Sequence, residues 1–178
     1  MGLELFTPRL LLRPLTAPDA PAVFAYRSIP EVGRYQGWSL ISLADVVALA
    51  QSQQSLEPDT PGTWYQLVLS LRPGRTVIGD LGLHFLDEPP ATVELGITLA
   101  PEHQGQGYAT EAVRAVGEYI FKTLGKHRLV ASVDPRNAAS IALLERVGLR
   151  REGQFRQSLW LKGEWVDDWI YAILAAEW

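Results

Sequence analysis

Residues 103–112 read HQGQGYATEA, with glycines at 105 and 107, then Tyr108 and an Ala-Thr-Glu run that opens a helical pattern. Glycines at the mouth of a helix let successive backbone N–H groups converge on a phosphate. The missing Cβ removes the clash, and the helix dipole favours the anion. The same spacing also serves a plain strand-to-helix turn relaxed by glycine. Before it, TVELGITLA (92–100) reads as a strand. After it come a helix from about Tyr108 to Leu124, a strand at HRLVASVD (127–134) and a helix from about Ala138 to Val147.

Further toward the start, PRLLLRPL (8–15) reads as a strand and Thr16 to Asp19 as a helix entry. That helix ends before Pro30, and the looser PEVGRYQGWSLIS (30–42) leads to Ser42, an expected N-cap for SLADVVALAQSQQSL (42–56). WYQLVLSL (64–71) and TVIGDLGLHFL (76–86) form a hairpin around RPGR, and DEPPA turns the chain into the third strand. Two last strands, near Gln154–Leu161 and Trp165–Leu174, pivot at Lys162-Gly163-Glu164. Hairpins first and a βαβ unit later make an α/β or α+β chain, expected to be one domain over 1–178.

Composition narrows the function. The chain has 178 residues, 47% of them hydrophobic, a net charge of −4 and no cysteine. The acidic balance argues against a nucleic-acid partner, which needs a basic face. Without cysteine there is no disulfide, thiolate metal site or cysteine nucleophile. His84, His103 and His127 stand at no metal-ligand spacing, so no metal is expected. The start MGLELFTPRLLLRPL lacks the pattern of a signal peptide, and no apolar run is long enough to span a membrane, so the expected location is cytoplasmic.

Three phosphate patterns compete for the glycine loop. A Walker A segment is absent. The dinucleotide fingerprint fails at Thr110, where a third glycine or alanine should stand, and the loop follows antiparallel-type strands. The pattern Gln/Arg-x-x-Gly-x-Gly/Ala is met by Gln104, Gly107 and Ala109. About thirty residues on stands NAASIALLERVGL (137–149), directly after a strand.

Together these two motifs resemble the GNAT N-acetyltransferase superfamily. The opening PRLLLRPL, with the closing Gly163-x-Trp165-x-Asp167 and Tyr171, is similar to its RimJ/RimL-type branch. The resemblance covers essentially the whole chain. It implies the GNAT fold, a central mixed, mostly antiparallel sheet flanked by helices, and acetyl-CoA as cosubstrate. It implies that the backbone of Ile97, Thr98 and Leu99 faces pantetheine in a slot between diverging strands. Gln104, Gly105, Gln106, Gly107, Tyr108, Ala109 and Thr110 would cradle the pyrophosphate, and Asn137 would bind the pantetheine arm.

The implied reaction is attack of an amine on the thioester, with CoA leaving. The tyrosine that many family members use as acid is replaced by Leu144, and the resemblance to RimL-like proteins points to Ser140 as donor to the thiolate. The strand acid assigned as base in RimL-like proteins is matched by Leu159, which leaves Glu94 as the candidate base, against the plainer reading of a solvent-facing carboxylate. Deprotonating an α-amine at pH 7 costs about 1 kcal/mol and a lysine roughly 4–5. A site without a dedicated base therefore suits a protein N-terminal α-amine or a small-molecule amine.

Tyr35 and Trp38 lie where the family walls its acceptor site, and an aromatic wall could hold an amine through cation–π contact. Core packing is the competing reading. Arg114, Lys126, Arg128 and Arg136 are available to adenosine phosphates or are solvated surface charges. Two whole-chain readings follow: an acetyltransferase, for which the resemblance implies a homodimer, or a non-catalytic acyl-CoA-binding sensor or scaffold.

Overall fold

The computed structural model describes residues 2–38 and 42–178. Residues 39–41, inside the loose stretch before α3 (Leu43–Ser52), lie outside the described residues. An eight-stranded sheet forms the frame, in the order β1-β2-β3-β4-β5-β6-β8-β7. Its strands are β1 (Leu5–Phe6), β2 (Leu10–Pro14), β3 (Thr63–Leu71), β4 (Val77–Phe85), β5 (Thr92–Leu99), β6 (Arg128–Val133), β7 (Arg150–Leu161) and β8 (Glu164–Leu174). Every neighbouring pair is antiparallel except β5 with β6. That parallel pair is joined by α4 (Tyr108–Glu118), as a crossover connection requires.

Helices cover the two faces unequally. On one face α4 and α5 (Ala138–Arg146) pack onto the larger core, which includes Leu67, Leu81, Leu83, Val116, Ile120, Leu129 and Leu143. On the other, α1 (Ala20–Arg27) and α3 (Leu43–Ser52) enclose a smaller core of Leu15, Val23, Tyr26, Val46, Ala50 and Val68. The short α2 (Pro30–Gly33) follows α1. Ser42 caps α3 as expected: its hydroxyl accepts from the Asp45 N–H, and the Asp45 carboxylate accepts in return from the Ser42 N–H at 2.7 Å.

Three local features differ from the sequence expectations. The loose stretch contains α2, which Pro30 opens at the first helical position. The helix after the glycine loop changes to π geometry over Tyr119–Thr123. The penultimate strand begins at Arg150, four residues before Gln154, because its early residues pair with Ala172 and Tyr171 of β8. No helix among the described residues is long and apolar enough to cross a membrane.

Candidate active site

The parallel pair β5–β6 holds only at its beginning. Thr92, Val93 and Glu94 pair with Arg128, Leu129 and Val130. Beyond Glu94, β5 stays with β4 through Leu99, while β6 stays with β8 through Val133. The two strands diverge, and a slot opens through the sheet. A cleft of about 1100 Å³ occupies it, lined by β5, the glycine loop and α5, and also by Val32, Tyr35 and Gln36 from the opposite face. The slot is therefore accessible from both sides of the sheet.

Most of the residues singled out in the sequence line this cleft: Ile97, Thr98 and Leu99, then Gln104, Gly105 and Gly107 through Thr110, and Asn137, Ser140 and Tyr35. Gln106, Trp38 and Glu94 are not among the lining residues. Gln106 faces outward, with its carbonyl accepting from Arg9 Nη1 at 2.9 Å. Trp38 is half-buried, with the Arg27 guanidinium 4.7 Å and Lys162 Nζ 5.7 Å from its ring centroid. Glu94 sits on the α1/α3 face, its Oε2 3.3 Å from His84 Nδ1.

The loop geometry suits an anion. Gly105 and Gly107 take φ of +72° and +83°, a conformation glycine adopts freely, and Gly107 is the N-cap of α4. Gln104 Nε2 donates to the Leu99 carbonyl at 3.0 Å and ties the loop to the end of β5. Arg9, which the sequence reading passed over, secures the other side. Its guanidinium lies 4.4 Å from the Tyr108 ring centroid and 2.6 Å from Glu111, while Thr7 donates to the same carboxylate. Burial pushes the Glu111 carboxyl up, but the bonds from Thr7 and Arg9 outweigh it and hold it below the usual range. Arg114 and Arg146 also line the cleft, alongside Glu111 and Glu118 of α4. The other bases are engaged elsewhere: Lys126 with Asp59, Arg128 with Glu152, and Arg136 with Asp134 and Glu164.

The inner end is shaped by caps. Asn137 Oδ1 accepts from the Ser140 N–H at 3.2 Å, which fixes the first turn of α5 at the cleft wall. Gln36 Nε2 reaches the Ile97 carbonyl at 3.4 Å, across the unpaired part of β5. Leu144 is buried in the core and Leu159 is exposed on β7. Asp167 accepts from the Gln157 N–H at 2.8 Å and so braces the irregular stretch of the last hairpin. On the other arm of the fork, Ser132 donates to Asp168 at 2.6 Å. Burial nonetheless pushes the Asp168 carboxyl above the usual carboxylate range.

Comparison with known proteins agrees with this geometry. Residues 9–150 match the family model described as the acetyltransferase (GNAT) domain. The chain is 31% identical over 177 residues to an uncharacterized N-acetyltransferase, YnaD, of Bacillus subtilis, covering 99% of each. It is 33% identical over 84 residues to the [Ribosomal protein uS5]-alanine N-acetyltransferase of Escherichia coli, covering 47% of this chain and 43% of that one. The fold superposes on Mycobacterium smegmatis RimJ in complex with CoA-disulfide with a TM-score of 0.83 at 24% identity, covering 99% of this chain and 88% of that one.

Proposed function

This chain belongs to the GNAT family of N-acetyltransferases, with RimJ/RimL-type proteins among its structural neighbours, and we propose that it acetylates an α-amine or a small-molecule amine from acetyl-CoA. The observation that carries the reading is the slot itself. It has a glycine loop with Arg9 and Arg114 at one end, a strand edge unpaired on its β6 side in the middle, and Val32, Tyr35 and Gln36 on the far side. A two-ended passage lets the cosubstrate and the amine arrive from opposite faces.

The residues present fit the cosubstrate. The pyrophosphate belongs on the amides at the start of α4, with Arg9 and Arg114 beside it. The pantetheine arm would run along Ile97–Leu99, as an added strand pairs with an open edge, with Asn137 opposite. Acetyl-CoA supplies an activated thioester. A β5 amide in the Gly96–Thr98 stretch stabilises charge developing on the carbonyl oxygen. Glu94, at the fork, takes the proton of the incoming ammonium, directly or through water. Ser140 donates a hydrogen bond to the departing sulfur. The expected location is the cytoplasm.

Thermal unfolding with acetyl-CoA, CoA, NAD and ATP tests the reading, followed by CoA release over an amine panel. A ligand at ~100 Kd adds about 2.7 kcal/mol of stability, a shift of several degrees. Stabilisation by acetyl-CoA and CoA alone, with turnover of at least one amine, is the expected result. Stabilisation without turnover of any amine would favour a non-catalytic acyl-CoA sensor.

A further inference from the structure

We propose that Trp64 and His84 form the acceptor side of the slot: Trp64 is the plate that receives the acceptor's ammonium group, and His84 is the positioning residue that aims Glu94 at it. This inference rests on the transferase reading and adds the residues that select the amine in its cationic form.

Strand register puts the three side chains in one row. Trp64 on β3 pairs with His84 on β4, which pairs with Glu94 on β5. Cross-strand partners share a face, here the face that carries Val68 and Asp80 under α1 and α3. The row ends at the fork, because Glu94–Val130 is the last β5–β6 pair. One step further into the slot the register places Gln66, Gly82 and Gly96. Gly82 makes room for the indole, and Gly96 lies at the far edge of its ring. A Cβ on Gly82 would come 2.9 Å from Trp64 Cε3, and one on Gly96 would come 3.9 Å from Trp64 Cζ3. The ring thus lies over β4 and reaches the strand that borders the slot.

Trp64 is also 43% exposed, so part of its ring is open to solvent. It stacks on the His84 imidazole, with centroids 4.8 Å apart and planes 14° from parallel. His84 in turn meets only one oxygen of Glu94, Oε2, at 3.3 Å. An electron-rich ring beside a carboxylate is the surface that attracts a protonated amine. Glu94 Oε1 then accepts the ammonium proton, and the nitrogen lone pair it frees becomes the nucleophile. The stack fixes His84, and His84 fixes the carboxylate.

The test compares wild type with W64A, W64F, H84F and H84N, each first checked for stabilisation by CoA. Acceptors are an alanine-headed peptide, spermidine and free lysine, followed by CoA release. W64A should raise KM for the accepted amine about tenfold with kcat nearly unchanged, and W64F should recover most of that loss. H84F should lower kcat and leave KM close to wild type, with partial rescue in H84N, whose amide can still donate to Glu94. Unmoved KM in W64A, or unmoved kcat in H84F, overturns this inference and leaves the transferase reading intact. Wild-type protein that binds CoA but turns over no panel amine favours the sensor over the transferase reading, and the inference falls with it.

Discussion

At the start of α5 a helix cap stands beside the proposed donor to the leaving thiolate. The Asn137 side-chain oxygen is committed to capping α5 through the Ser140 N–H, which leaves the asparagine amide nitrogen and the serine hydroxyl at the cleft wall. A hydrogen bond to a charged group is worth about 1.5–3 kcal/mol. S140A should therefore slow kcat on the order of ten- to hundredfold, while stabilisation by CoA is retained. Single-turnover CoA release alongside a CoA melting series checks both halves, and an unchanged kcat would reduce Ser140 to a small residue that permits close packing. Leu144, an apolar core side chain without a donor, cannot take over this task.

The glycine loop is an element that depends on another element for its shape. Gly105 and Gly107 allow the turn, and Gln104 anchors it to β5, but Arg9 ahead of β2 holds the outside through Gln106, Tyr108 and Glu111. Arg9 is half-exposed, so its ion pair adds little stability, about 0–1 kcal/mol. Its larger effect is on the loop and on local charge. R9A should weaken CoA binding about tenfold while shifting the melting temperature of the free protein only slightly. Isothermal titration with CoA, set against a melt without ligand, separates the two effects. R9K, which keeps the charge but loses the planar fork, should fall between them.

Across the whole molecule, α1 is fastened to the sheet by a buried polar group. Asp80 accepts from Tyr26 at 2.7 Å and from Gln66 at 2.5 Å, and it pairs with Arg27, whose guanidinium supports Trp38. Burial, the Asp80 charge and the bond to it push the Tyr26 hydroxyl well above its ordinary range, so it remains a donor. D80A would strand the Arg27 charge in the interior, and about 3–5 kcal/mol of stability should be lost. Denaturant unfolding measures this directly. Since Asp80 pairs with Thr98 of the slot-lining strand, the variant should also bind CoA less tightly at temperatures below its melt.

Much of this was legible in the linear chain. Ser42 with Asp45, the glycines before Tyr108, Asn137 before α5 and the turn at Lys162-Gly163 are all signals read within about four residues, the reach of caps and turns. They located the longer helices, most strand boundaries and most of the residues that line the cleft. The helix after Pro30 and the first residues of β7 were less visible, being short or supported mainly by a partner strand. Spacing alone could not reveal the divergence of β5 from β6 after Glu94, the support of the loop by Arg9, or the row Trp64–His84–Glu94. Which side chains meet across strands is set by register, and register is decided by pairing between distant segments. The sequence by itself therefore determined the elements and the glycine loop, and only the tertiary structure, through strand register, decided which side chains meet around the slot.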